Sequence, residues 1–61
     1  MKLTVNQNVL IKDNDNLVEC YVRRINAKTV SFNQRSPKLE NGVVYSYRIR
    51  KNQLRKFVQE A

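Results

Sequence analysis

Residues 17–33 read LVECYVRRINAKTVSFN, and this stretch decides the fold. Apolar and polar residues alternate on both sides of a short polar turn. An alternation with a period of two is typical of strands whose two faces meet different surroundings. The stretch therefore predicts two antiparallel strands, over residues 17–25 and 29–33, joined by a tight turn. The side chains predicted to face the core are Val18, Cys20 and Val22 in the first strand and Val30 and Phe32 in the second.

Two adjacent arginines interrupt the alternation in the first of these strands. Ile25 follows Arg23 and Arg24, and its parity places it on the face opposite to Val22. A β-bulge at the two arginines would return Ile25 to the core and increase the twist of the strand. The sequence therefore predicts a bent strand at this point.

An earlier strand is predicted over residues 3–12. Val9 and Ile11 alternate with polar neighbours, and Val5 has the parity of the same face. Residues 13–16 read DNDN, and Asn and Asp favour turns because they tolerate left-handed backbone angles and bond to their own backbone. A turn is predicted there.

A fourth strand is predicted over residues 43–50. The pair Asn41-Gly42 comes just before it and favours the type I′ turn of a β-hairpin. Tyr45 and Tyr47 are predicted to pack in the core with their hydroxyls at its rim. The opposite parity would bury Arg48 without a partner, which is costly.

The tail of the chain allows two interpretations. Residues 51–54 are predicted to form a single helical turn. A short closing strand over residues 55–58 is the preferred continuation, while a C-terminal helix is the alternative, because apolar residues recur at helical spacing from Leu54 to Ala61.

The length of 61 residues limits the chain to one domain, over residues 1–61. A domain of this size buries only about 60% of the surface of its unfolded chain, so its core is small. A sheet of five short strands in so few residues is expected to curl, since a flat sheet leaves one face exposed to solvent and two edges unpaired. The predicted class is all-β, a small five-stranded barrel with one helical turn before the last strand.

The order of these elements resembles that of small SH3-like barrels. The resemblance covers VNQNVLIKDNDNLVECYVRRINAKTVSF at residues 5–32 and, after a long loop, YSYRIRKNQLRKF at residues 45–57. In such barrels a tight turn precedes the third strand and a one-turn helix precedes the last. Residues 26–28 and 51–54 would occupy those two places. The resemblance implies functions found in that class, which includes nucleic-acid binders, peptide binders and one plasmid-borne reductase.

The amino-acid composition excludes or disfavours several kinds of chemistry. The chain has no His, and Cys20 is its only cysteine, so one chain offers neither His-based acid–base chemistry nor a disulfide. The single Gly42 cannot build a phosphate-cradling loop. The plasmid-type dihydrofolate reductase carries Val-Gln-Ile-Tyr where residues 45–48 here read YSYR. We therefore expect no enzyme activity, no cofactor and no metal site.

No apolar run is longer than two or three residues, and the N-terminus lacks the apolar core of a signal peptide. The sequence therefore predicts a cytoplasmic protein without a membrane-spanning segment.

The charge is unevenly distributed along the chain. Residues 1–20 carry two lysines and three acids, a sum of −1, whereas residues 21–61 carry ten basic and two acidic residues, a sum of +8. The net charge of +7 indicates a polyanionic partner, with DNA or RNA as the first candidate.

Lys and Arg neutralise phosphates and release counterions, and an exposed aromatic ring offers a plane on which a base can stack. We therefore predict a basic face that binds nucleic acid with little base specificity. The predicted phosphate-binding residues are Arg23, Arg24, Arg48, Arg50, Lys51, Arg55 and Lys56, with Lys28, Arg35 and Lys38 as secondary contacts and Tyr21 as the stacking residue.

Two other interpretations of the same charges remain open. The cations could simply keep a small protein in solution. Alternatively, the chain could be a protein–protein interaction module that docks its basic face on an acidic host protein. Its small size and its richness in Asn, Lys, Ile and Val would suit a phage or mobile-element protein.

Overall fold

The structure, a computed structural model, describes residues 2–35 and 45–61, and strands make up 59% of it. The elements are β1 (Asn8–Asp13), β2 (Asn16–Ile25), β3 (Thr29–Gln34), β4 (Ser46–Arg50), a 3₁₀ turn (Lys51–Gln53), α1 (Leu54–Phe57) and β5 (Val58–Glu60). The predicted all-β class with one short helix before the last strand is confirmed. The predicted Asn41-Gly42 turn and the first two residues of the predicted fourth strand lie outside the described residues.

The five strands form one antiparallel sheet in the order β4-β3-β2-β1-β5. Asp13 pairs with Asn16, so β1 and β2 are joined by a two-residue loop. Asn14 in this loop has a φ of 56°, a left-handed angle that Asn tolerates better than most residues do. The turn predicted for residues 13–16 is thus confirmed, and only its two central residues lie outside the strands.

The sheet is not closed by hydrogen bonds between its outer strands β4 and β5, so it only approximates a barrel. The short helix α1 contacts both of these strands and β1. Leu54 at the start of α1 is buried in the core. The helix therefore links the two edges of the open sheet by packing rather than by hydrogen bonds.

The predicted bulge in β2 is present at the arginines. Val22 pairs with Phe32 and Arg24 pairs with Ser31, which leaves Arg23 as the extra residue. A bulge bends its strand and increases the local twist. The bend lets β2 pair with both of its neighbours. Residues nearer its start pair with β1, and residues nearer its end pair with β3.

The bulge also turns Ile25 towards the inner side of the sheet, where it pairs with Val30. The prediction that Ile25 returns to the core is nevertheless wrong, because 37% of its surface is exposed. Ile25 is the last residue of β2 and lies at the end of the sheet, where it lines a shallow depression with Leu3 and Leu54.

The core lies on the inner side of the sheet and under α1. Six of the residues predicted to face the core in the first three strands are buried, and a seventh, Val18, is partly buried against them. The buried residues are Val9, Ile11, Cys20, Val22, Val30, Phe32, Leu54 and Val58. Leu3, Tyr47, Ile49 and Phe57 are partly buried against them. Within the described part of the chain, every buried side-chain nitrogen or oxygen has a hydrogen-bond partner.

The N-terminal segment differs from the predicted strand over residues 3–12. The backbone N–H of Gln7 donates to the Thr4 carbonyl at 3.1 Å, and Asn6 has a φ of 72°, as the third position of a type II turn requires. Val5 occupies the second position of this turn and is 53% exposed. The prediction that Val5 shares the core face is therefore wrong, and β1 begins only at Asn8.

The two tyrosines near β4 have different environments. Tyr45 precedes the strand and is 55% exposed, so the prediction that it packs in the core is wrong. Tyr47 is partly buried, and its hydroxyl donates to Asp13 Oδ2 at 2.9 Å, as a core tyrosine with its hydroxyl at the rim should. Burial, followed by the hydrogen bond and negative charge of Asp13, raises the pKa of Tyr47 above its ordinary value.

The tail contains both of the predicted alternatives in succession. The helical turn predicted for residues 51–54 is present as a 3₁₀ turn that continues into α1. The prediction of a strand over residues 55–58 is wrong for its first three residues, which are helical. The closing strand begins at Val58 and pairs with β1. No helix among the residues described is long and apolar enough to cross a membrane.

Candidate nucleic-acid interface

The strand register decides which of the predicted cations meet. Arg24 pairs with Ser31, and Ser31 in turn pairs with Arg48, so the three residues form one row across three strands. Paired residues share a face of the sheet, and Ser31 alternates with the buried Val30 and Phe32. The row therefore faces outward. Neighbouring strands lie about 4.8 Å apart, which separates the two arginine backbones by roughly 10 Å.

The bulge adds a third arginine to this region. Arg23 lines a shallow depression of about 230 Å³ together with Arg48. Arg50 follows Arg48 by two residues and therefore points to the same side of β4. We call the outward side of β3, β4 and the second half of β2 the outer face; its residues are Tyr21, Arg23, Arg24, Thr29, Ser31, Asn33, Ser46, Arg48 and Arg50.

An uncharged row lies beside the arginines on the outer face. Tyr21 pairs with Asn33, and Asn33 pairs with Ser46. The Ser46 hydroxyl donates to Asn33 Oδ1 at 3.1 Å, which holds these two side chains together. The outer face therefore places hydrogen-bonding and aromatic groups next to its cations.

Arg35 covers part of Tyr21. The central carbon of its guanidinium lies 5.6 Å from the centroid of the tyrosine ring, within the range of a cation–π contact. The backbone N–H of Arg35 donates to the Glu19 carbonyl at 3.0 Å, which holds Arg35 beside β2. A base could stack on the Tyr21 ring by displacing the guanidinium.

A second group of cations meets at the end of the β3–β4 ladder. Lys28, Arg50 and Lys51 line a depression of about 620 Å³. The backbone N–H of Lys51 donates to the Lys28 carbonyl at 2.9 Å, and Arg50 pairs with Thr29. We call this the end depression; the residues that line it are Ala27, Lys28, Thr29, Arg50, Lys51 and Asn52. Arg50 belongs to both sites.

Not all predicted site residues join these two groups. Arg55 and Lys56 are exposed on α1, and neither lines the end depression or the depression beside Arg23. The Lys56 ammonium lies 5.5 Å from the ring of its neighbour Phe57. Lys38 lies outside the described residues.

Acidic residues lie towards the opposite end of β2. Asp13 and Asp15 belong to the β1–β2 hairpin, and Glu19 lies in the first half of β2. The arginines at the bulge come after them along the strand. The charged side chains in the second half of β2 are therefore all basic.

The neutral residues of the two sites were not predicted. Ser31 and Asn33 alternate with buried apolar residues, so the parity of β3 was sufficient to place them on the outer face. The neighbours of Ser31 across the sheet depend on the register, which the parity of one strand does not reveal. Other residues that line the two depressions and were not predicted as contacts include Thr29, Ser46 and Asn52.

Among the residues that the structure describes, no group of three or more His, Cys, Asp or Glu is placed to hold a metal ion. No protein-family model matches the sequence, and no curated protein and no solved structure matches it significantly. Function is therefore inferred from the placement of the side chains alone.

Proposed function

We propose that this protein is a small SH3-like barrel that binds nucleic acid through its outer face, with little base specificity. The tight turn before β3, the helical turn before β5 and the pairing of β5 with β1 support the barrel assignment. The row formed by Arg24, Ser31 and Arg48, with Arg23 beside it, carries the functional proposal.

The arginines suit a phosphate backbone in both chemistry and spacing. The guanidinium is planar and offers paired N–H donors that match two phosphate oxygens. Arg48 and Arg50 lie two residues apart on β4, about 7 Å along the strand. This separation resembles that of successive phosphates in an extended nucleic acid strand. The outer face can therefore contact several phosphates of one strand at once.

Tyr21 supports the proposal as a stacking residue. It lies in the row next to the arginine row, so a strand whose phosphates meet the arginines has its bases near the ring. Stacking of a base on an aromatic side chain contributes about 1–3 kcal/mol and tolerates any base. Such contacts favour binding without strong sequence preference.

The proposal is tested by binding of labelled oligonucleotides, single-stranded and duplex, DNA and RNA, measured by fluorescence anisotropy at low salt. The double substitution Arg24→Glu with Arg48→Glu should weaken binding by about 100-fold, because each arginine supplies a charged hydrogen bond. The matched control is Arg55→Glu with Lys56→Glu, which changes the net charge equally but lies on α1. We expect it to weaken binding by less than about tenfold, since neither side chain belongs to the outer face and exposed charges are screened by salt.

Circular dichroism and thermal unfolding should show that both variants remain folded, because all four residues are exposed. Equal losses in the two variants would mean that net charge, not the outer face, attracts the nucleic acid. A wild-type protein that binds no oligonucleotide at low salt would contradict the proposal and would favour an acidic protein as the partner.

A further inference from the structure

We infer that the end depression binds the terminal phosphate of a nucleic acid strand together with the nucleoside that carries it. This inference rests on the proposed function, because the outer face would hold the neighbouring nucleotides. Arg50 belongs to both sites, so a strand that follows β4 along the outer face runs directly into the end depression.

The charge of the end depression favours a dianion. Three of its lining residues, Lys28, Arg50 and Lys51, are cations, and none of the described lining residues is acidic. A terminal phosphate monoester has a second pKa near 6 and approaches a charge of −2 at pH 7. A phosphodiester within a strand carries a charge of only −1. Three converging cations therefore discriminate in favour of the strand end.

The backbone around the depression is held in place before any ligand arrives. The Lys51 N–H donates to the Lys28 carbonyl at 2.9 Å. In the turn before β3, the Asn26 N–H donates to the Thr29 carbonyl at 2.8 Å, and the Asn26 side-chain amide donates to Thr29 Oγ1 at 3.2 Å. A preorganised site loses less conformational freedom when it binds. Because the Lys51 N–H is already bonded, the attraction for the anion comes from the side chains.

The size of the end depression and its neutral lining residues favour a ligand larger than a phosphate group alone. The volume of about 620 Å³ lies in the range of small-molecule sites, which extends from roughly 300 to 1,000 Å³. Thr29 supplies a hydroxyl, and Asn52 supplies an amide that can both donate and accept. These groups can bond to sugar hydroxyls or to the edge of a base while the cations hold the phosphate.

The inference is tested with one single-stranded oligonucleotide prepared with a 5′-phosphate, a 3′-phosphate or no terminal phosphate. The wild-type protein should bind at least one phosphorylated form about fivefold or more tightly than the unphosphorylated form. Lys28→Gln with Lys51→Gln should abolish this ratio. Arg55→Gln with Lys56→Gln removes the same charge from α1 and should preserve the ratio.

The outer-face variant Arg48→Gln separates this inference from the proposed function. It should weaken the binding of all three oligonucleotides by a similar factor and leave the ratio unchanged. Equal affinities of the wild-type protein for all three would overturn the inference but not the proposed function. So would a ratio that survives the loss of both Lys28 and Lys51.

If no oligonucleotide binds, the proposed function fails, and the end depression is examined by NMR with a nucleoside 5′-monophosphate. Shifts confined to the amides of residues 27–29 and 50–52 would support a nucleoside phosphate site there, and their absence would overturn it. Where oligonucleotides do bind, a free nucleotide that binds as tightly as the phosphorylated oligonucleotide would overturn the assignment to a strand end.

Discussion

At the scale of single residues, Cys20 shows how burial changes the chemistry of a side chain. The residue is buried in the core, and this burial raises the pKa of its thiol from 9.0 to about 11. In the unfolded chain the thiol ionises near its ordinary pKa. Between these two pH values the folded protein therefore binds more protons than the unfolded one. The stabilisation is complete below pH 9 and is lost as the pH rises towards 11.

We therefore expect the free energy of unfolding, measured by urea denaturation, to fall between pH 9 and pH 11. Cys20 should contribute a slope of at most about 1.4 kcal/mol per pH unit. Cys20→Ala should be less stable at neutral pH, because it leaves a cavity, but should lose stability less steeply in alkali. The charge of Cys20 is one of the smaller causes of the raised pKa of Tyr47, so Cys20→Ala also reduces that shift and changes the slope in the same direction. Parallel slopes would show that the thiol does not ionise as described.

The inward side chains of β1 and β3 could be predicted from alternation, because a strand places every second residue on one face. Val5 and Tyr45 could not, although their parity suggested the core. Val5 is turned away from the core by the positive φ of Asn6, an angle that asparagine permits but does not require. Tyr45 continues the β3–β4 ladder by one residue, since its carbonyl accepts from the Gln34 N–H, but it lies at the end of the sheet and stays exposed.

At the scale of elements, the bulge in β2 determines how the arginines are arranged. The sequence predicted a bulge at Arg23 and Arg24 but not which of them is the extra residue. That choice depends on how both neighbouring strands pack, since it sets which arginine lies opposite Ser31. The composition of the outer face therefore follows from the register of the sheet, which no local pattern specified.

Deleting Arg23 tests the role of the bulge. The deletion would let Val22 and Arg24 pair with Phe32 and Ser31 in an uninterrupted ladder, without the bend. Because both halves of the sheet pack on one core, we expect it to cost more than about 1 kcal/mol and lower Tm by more than about 4 °C.

Arg23→Ala keeps the extra residue and is the matched control. Its effect on stability should stay within about 0.5 kcal/mol, since the side chain is exposed. Calorimetry of the two variants gives the Tm and the loss of stability of each. A deletion variant as stable as Arg23→Ala would mean that the bend is dispensable.

At the scale of the whole molecule, the excess of cations in residues 21–61 was sufficient to predict a basic surface. It was not sufficient to predict which cations converge. Arg24 and Arg48 are brought together by pairing through β3. Arg55 and Lys56 were predicted to join the same cluster, but they lie on α1 and line neither depression. Convergence is a property of the tertiary fold, so a single sequence leaves it open.

The number of cations that meet phosphates should appear in the salt dependence of binding. Four arginines on the outer face predict a slope of log affinity against log salt of about −3 for a single strand. Arg24→Gln with Arg48→Gln should reduce the slope to about half, because two phosphate contacts are lost. Arg55→Gln with Lys56→Gln should leave it nearly unchanged. A slope insensitive to the first pair would place the contacts elsewhere on the molecule.

The pairing of β5 with β1 has a consequence for how the chain is made. The first four strands pair in the order in which they are synthesised, β1 with β2, β2 with β3 and β3 with β4, so these pairs can form during translation. The second edge of β1, by contrast, can pair only after residues 58–60 have been synthesised. Until those residues have left the exit tunnel, the nascent chain carries an unpaired strand edge that a chaperone or another nascent chain can reach.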